Sequence, residues 1–117
     1  MKETLITFET AELAKEKGFD FLVNNYYNHN NELKEHKYNA NITVLEFHAP
    51  TQSLLQKWLR EEHNIAVYNK PVADNSGRWS VYVDDMGGHH YITYYIYEPT
   101  YEEALERGLQ EALKLIP

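Results

Sequence analysis

The residues best suited to chemistry stand together in one short run, Asp84-Asp85-Met86-Gly87-Gly88-His89-His90. Carboxylate oxygens and imidazole nitrogens are ligands for zinc and other divalent ions. A turn at the two glycines would bring Asp84 or Asp85 towards His89 or His90. Adjacent residues on a strand point to opposite faces, so each pair would supply one ligand to a common site. One interpretation is therefore a metal site or a metal-dependent enzyme, and the other is a polar connection between two strands.

Tyrosine is the second chemical feature, because the chain contains 10 of them and five lie between residues 91 and 101. Alternate residues of a strand share one face of its sheet. One such face is predicted to carry Tyr82, Tyr91, Tyr95 and Tyr97, with Tyr68 from a neighbouring strand. A face of this kind forms a protein interface or stacks nucleobases, unless the first helix or residues 20–48 cover it. We expect it to bind a protein partner or a second copy, which makes a homodimer.

The remaining catalytic signals are negative. The chain has no phosphate-cradling glycine loop, no nucleophile elbow and no paired-histidine metalloprotease helix. No catalytic residue and no cofactor is therefore predicted, and a non-enzymatic role is favoured over an enzyme.

Three helices are predicted to frame these residues. The first covers residues 8–17, with Thr7 or Thr10 as its N-cap, and stops at a glycine. The second covers residues 51–63 with an apolar stripe on one side. The third begins at a capping box formed by Thr100 and Glu103.

Three strands are predicted between the second and third helices, at residues 65–70, 79–83 and 91–97. The turn sequence Asp74-Asn75-Ser76-Gly77 separates the first two, and Gly87-Gly88 separates the last two. Residues 20–48 are rich in asparagine. Residues 21–27 and 42–47 could each form a strand, with residues 32–38 as a polar hairpin arm or loop. The expected fold class is α+β, with an N-terminal helix followed by helix-β-β-β-helix and an antiparallel sheet of three to five strands flanked by helices.

Three segments carry a resemblance: residues 9–19 (ETAELAKEKGF), 49–61 (APTQSLLQKWLRE) and 100–113 (TYEEALERGLQEAL). In this order they resemble a group of small proteins encoded by phages, prophages and other mobile elements of gut Bacteroidetes, a group with no assigned function. The resemblance implies an accessory protein of a mobile element. Residues 95–113 also resemble the C-terminal strand and helix of HicB-type antitoxin domains, which favours partner binding over catalysis.

The composition limits the partners. With 117 residues, of which 43% are hydrophobic, the chain is expected to form a single domain, residues 1–117. Its formal net charge of −7 disfavours nucleic acid and membrane surfaces. The helix-strand order is similar to a double-stranded-RNA-binding domain, but Glu102 and Glu103 stand where that family places phosphate-binding lysines. Cysteine is absent, and we expect a cytoplasmic protein with neither a signal peptide nor a membrane span.

Overall fold

The computed structural model describes residues 3–36, 42–43, 45–86 and 96–117. These residues form the following elements in chain order: α1 (Phe8–Glu16), β1 (Asn25–Tyr27), β2 (Leu33–Glu35), β3 (Phe47–His48), α2 (Gln52–His63), β4 (Ile65–Pro71), β5 (Trp79–Asp85) and α3 (Tyr101–Lys114). The predicted α+β class is confirmed. The strands form two antiparallel sheets, one with the order β2-β1-β3 and the other a β4-β5 hairpin.

Each helix begins at a threonine that the sequence marks as an N-cap. The side chains of Thr7, Thr51 and Thr100 each accept a hydrogen bond from the backbone N–H three residues further on. Beyond α1 the chain turns at Gly18, whose φ is 95°, and α2 ends at Asn64, whose φ is 55°. Both residues occupy the left-handed region that glycine and asparagine tolerate best, so the predicted helix ends are confirmed.

The β4-β5 hairpin follows from alternating residues and strong turn chemistry. Its register runs from the pair Ile65 and Asp85 to the pair Pro71 and Trp79. In the connecting turn, Asn75 and Gly77 have φ values of 61° and 77°. The side chain of Asp74 accepts a hydrogen bond from the backbone N–H of Ser76 at 3.0 Å, as expected of an Asx turn.

Helix α3 packs closely on one side of this hairpin, which we call the inner face. Val67, Val81 and Val83 point to this side and are at most 3% exposed. Gly108 of α3 lies so close that an added Cβ would collide with Cγ2 of Val81. The close approach explains a glycine in the middle of a helix, where it is otherwise unfavourable.

The edge of β4 on the side away from β5 is partly blocked against further strand pairing. The Gln56 side chain of α2 donates a hydrogen bond to the carbonyl oxygen of Val67. At the end of the same strand Pro71 has no N–H to offer to a neighbour. Among the described strands, β4 pairs with β5 alone.

The N-terminal sheet differs from the prediction in its strand lengths. Only residues 25–27 of the predicted strand 21–27 pair. Among the described residues of the predicted strand 42–47, Phe47 alone belongs to a strand. Thr43 and Glu46 instead close a turn, and Lys15 of α1 donates to both of their carbonyl oxygens, at 3.1 and 2.7 Å. The predicted polar arm at residues 32–38 contributes the three-residue strand β2.

Beyond β5, the predicted third strand of the meander falls mostly outside the described residues. Glu98 and Trp79 form an antiparallel bridge in which each backbone N–H donates to the other's carbonyl oxygen at 2.8 Å. The chain entering α3 therefore lies antiparallel to the start of β5.

Candidate functional site

The hairpin face that points away from α3, here called the outer face, carries a pair of stacked tyrosines. Tyr68 and Tyr82 are directly opposite each other in the β4-β5 register. Their ring centroids are 5.3 Å apart and their planes differ by 13°. The Tyr68 hydroxyl donates a 2.8 Å hydrogen bond to Oδ2 of Asp84. Tyr68 is 36% exposed and Tyr82 is partly exposed.

Cations lie over these aromatic rings. Lys70 Nζ lies 5.1 Å from the ring centroid of Tyr82 and 6.0 Å from that of Tyr68. The Arg78 guanidinium is 5.6 Å from the ring centroid of Tyr97. Both contacts fall within the range of cation–π attraction. The outer face therefore combines aromatic area with positive charge on a chain whose net charge is −7.

Tyr97 points to the same side as Tyr82. Trp79 is on the inner side, where the centroid of its ring lies 5.1 Å from that of Tyr101 in α3. Glu98 is the residue opposite Trp79 in the antiparallel bridge. Residue 97 precedes Glu98 and so projects to the opposite side. Its side chain is 55% exposed. Of the four tyrosines predicted to form the site, the structure describes Tyr82 and Tyr97, whereas Tyr91 and Tyr95 lie outside the described residues.

The described helix and strands of the N-terminal half make their main contacts away from the hairpin. Cover of the outer face by residues 20–48, some of which lie outside the described residues, stays a prediction. Helix α1 packs against α3 and β3, and β1 packs against β2 and β3. Helices α2 and α3 are the elements that pack against the hairpin, and α3 occupies the inner face. The outer tyrosines therefore differ from the buried valines by their surroundings as well as by their type.

The two carboxylates of the predicted metal site point in different directions. Asp84 is on the outer face beside Tyr68. Asp85 instead lines a cavity of about 350 Å³ on the other side of the strand, together with His63 and Ile116. Within the described residues no three His, Cys, Asp or Glu side chains are placed to hold a metal ion. His89 and His90 lie outside the described residues, so their role as ligands stays a prediction.

A buried carboxylate that the sequence analysis did not select joins the three helices. Glu106 of α3 is 9% exposed. Its Oε2 accepts hydrogen bonds from the backbone N–H and hydroxyl of Thr7, at 2.9 and 3.0 Å, and from the hydroxyl of Thr10. Its Oε1 accepts a 2.9 Å hydrogen bond from Gln52 of α2. The negative charge also lies at the N-terminus of α1, where the helix dipole stabilises it.

Glu106 could have been found from helical spacing. It precedes Leu109 by three residues and Leu113 by seven, which places it on the buried stripe of α3. Glutamate is almost never fully buried without partners, so its position on that stripe predicts a buried polar contact. The donors come from α1 and α2, and only the fold identifies them.

A cavity lies beside this network. Its volume is about 780 Å³, and Phe8, Tyr27, Arg107 and Lys114 are among its lining residues. Burial, and to a smaller extent the nearby Glu106 carboxylate, raises the pKa of the Tyr27 hydroxyl. That hydroxyl donates to the carbonyl oxygen of Ile6 at 2.8 Å. Both cations of its lining are paired, Arg107 with Glu98 and Lys114 with Glu111, and the Glu9 carboxylate also lines the cavity.

Two histidines in the N-terminal sheet have buried nitrogens without a hydrogen-bond partner among the described residues. These are Nε2 of His36 and Nδ1 of His48. Tyr26 pairs with His48 across β1 and β3, and its ring stacks on that of His36 at a centroid distance of 4.2 Å. Burial lowers the pKa of His48, against an opposing effect of Asp20. Two imidazoles alone make too small a ligand set for a structural metal site.

Comparison with protein-family models, curated proteins and solved structures gave no match. The candidate site is therefore defined by its own geometry. The described helices include none with the length and apolar character needed to cross a membrane.

Proposed function

We propose that this chain is a non-enzymatic binding protein that acts through protein contacts. The outer face of the β4-β5 hairpin is its binding surface, with Tyr82 and Tyr97 as central contacts. The observation that carries this proposal is the exposed Tyr68–Tyr82 stack with Lys70 over both rings. Tyrosine is enriched at protein interfaces because it combines a large rigid contact area with a hydroxyl group.

The same geometry weighs against the two alternatives. Single-stranded nucleic acid binds in a groove of positive charge, whereas this face also carries Asp84 and the chain has a net charge of −7. A metal-dependent enzyme would need convergent ligands, and Asp84 and Asp85 diverge. Protein binding needs neither feature.

The biological setting is part of the proposal. The resemblance to mobile-element proteins supports an accessory, regulatory role. The absence of cysteine supports a reducing compartment, the cytoplasm.

Site-specific photo-cross-linking tests the surface directly. A photoreactive phenylalanine analogue is placed at Tyr97 in one variant and at Tyr101 in the control. Tyr101 is also exposed, at 41%, but contacts Trp79 on the inner side. We expect protein adducts from position 97 and few from position 101, identified by mass spectrometry after irradiation in cells. Equal adduct formation at both positions, or none at 97, would contradict the proposal.

A further inference from the structure

The charges of the outer face are ordered along its strands. By alternation three cross-strand pairs lie on this face: Ala66 with Asp84, Tyr68 with Tyr82, and Lys70 with Ser80. Ser80 is itself only 4% exposed and donates to the Lys70 carbonyl oxygen, so Lys70 is the accessible member of its pair. The acid therefore stands at one end of the face, the tyrosines in the middle and the base at the other end. Four residues of strand separate the two end rows, which corresponds to about 13 Å.

Neither end charge is neutralised within the described part of the chain. Asp84 accepts a hydrogen bond from the neutral Tyr68 hydroxyl, and Lys70 contacts neutral aromatic rings. The ion pairs of the described residues involve neither of them. Lys70 is exposed and Asp84 is partly exposed, so both can meet charges of a partner.

We infer that the occupant of this face is a second copy of the same chain, related by a two-fold axis that crosses the strands at the tyrosine row. This inference rests on the proposed function and specifies its partner. Such an axis turns the acidic end of one copy over the basic end of the other. Asp84 of each copy then meets Lys70 of its partner copy, and the tyrosine rows pack together between the two contacts.

The charge order also selects this orientation over others. Most homodimers use an isologous interface, in which residue i contacts residue j and residue j contacts residue i. A face with acid at one end and base at the other pairs opposite charges across such an interface only when the strands of the two copies run in opposite directions. If the strands of the two copies ran in the same direction, Lys70 would face Lys70 and Asp84 would face Asp84, which is strongly unfavourable.

Charge reversal provides the test, with dimerisation measured by light scattering over a concentration series. Lys70→Glu alone and Asp84→Lys alone are each expected to raise the dimer dissociation constant at least about tenfold. An equimolar mixture of the two variants is expected to restore dimerisation. In the mixed dimer the introduced glutamate of one copy meets the introduced lysine of the other, and the unchanged Asp84 meets the unchanged Lys70. The double variant Lys70→Glu/Asp84→Lys is expected to dimerise on its own for the same reason.

Matched controls separate the interface from net charge and from folding. Lys57→Glu makes the same change in net charge as Lys70→Glu, but on α2, and should leave the dissociation constant unchanged. Restoration by mixing excludes a folding defect, because neither polypeptide changes. Wild-type dimerisation in both single variants, or failure of both the mixture and the double variant to associate, would overturn the inference.

A wild-type chain that stays monomeric at every concentration would also overturn it. In that case adducts between position 97 and a different protein would still support the proposed function. The two failures are therefore distinguishable.

Discussion

The two faces of the β4-β5 hairpin use the same strands for different purposes. On the inner face Val67 and Val81 are at most 3% exposed and lie against Gly108 of α3, where an added Cβ would not fit. On the outer face Tyr68 is 36% exposed, and its contacts include a stacked ring, a hydrogen bond and a cation. The inner face is limited by shape and volume, whereas the residue types of the outer face are suited to contacts with a partner.

The largest expected change in stability concerns the contacts that hold α3, the helix that covers the inner face. Glu106→Ala removes the acceptor shared by Thr7, Thr10 and Gln52 and leaves buried donors unpaired. We expect a loss of about 3 kcal/mol in the free energy of unfolding. Urea denaturation measures it, and Glu111→Ala, on the rim of the same helix, should change the value by no more than about 0.5 kcal/mol. Equal effects of the two substitutions would contradict a structural role for Glu106.

Gly108→Ala tests the inner packing itself. The new methyl group collides with Val81, and the valine cannot move far because it is also buried. Overpacking outweighs the gain in helix propensity, so we expect a loss of about 1–2 kcal/mol. The added substitution Val81→Ala removes the colliding methyl groups, and the two changes should therefore cost less together than the sum of their separate costs. Additive costs in denaturant unfolding would argue against the close approach.

Tyr82→Ala tests whether the outer face contributes more to association than to stability. It removes a cross-strand aromatic pair, which contributes about 1 kcal/mol or less to stability. We expect a small decrease in the free energy of unfolding together with clear loss of dimerisation, because the tyrosine row forms the centre of the proposed interface. A variant that unfolds readily but associates normally would reverse the roles assigned to the two faces.

The N-terminal sheet provides a smaller, pH-dependent effect that neither face of the hairpin explains. Because burial lowers the pKa of His48 below its ordinary value of 6.5, the unfolded chain binds the proton more readily than the folded one. The stability contributed by this histidine is complete above about pH 6.5 and is lost as the pH falls towards the folded-state pKa. His36 and Lys15 add to the lowering, and Asp20 opposes it.

Thermal unfolding between pH 7.5 and 5 measures this dependence, and His48→Gln should flatten it. The lowered pKa values of Asp74 and Glu32 act with the same sign, but only below about pH 4.5, since their ordinary values are 3.8 and 4.5. The two windows therefore separate. An unchanged slope in the His48 variant would assign the dependence to another group.

Sequence periodicity predicted the elements that are long enough to repeat. Helices α2 and α3 and the hairpin strands each present several turns or alternations, and their bounds differ by at most a few residues from those predicted. The strands of the N-terminal sheet have two or three residues, too few for any alternation to develop. Their pairing depends on tertiary contacts such as Lys15 with the turn at Thr43 and Glu46.

The outward direction of Tyr82 was predictable from alternation, but its stacking on Tyr68 was not. Stacking depends on register, which the turn between the strands determines. The contacts of Lys70 and Arg78 with the tyrosine rings were missed for a related reason. Alternation gives the face on which a residue lies, but not its neighbour on the next strand. The network around Glu106 requires the relative placement of three helices, which no local pattern contains.

The protected edge of β4 has a consequence for how copies of the chain can assemble. With the Gln56 amide bound to the Val67 carbonyl oxygen and Pro71 at the strand end, extension of the sheet by further strands is disfavoured on this side. Strand addition at an exposed edge can continue indefinitely and leads to fibres. A two-fold contact between two faces instead gives a dimer, because each copy then has no further face of this kind to offer. The same small hairpin is thus compatible with the proposed dimer and disfavours an indefinite assembly.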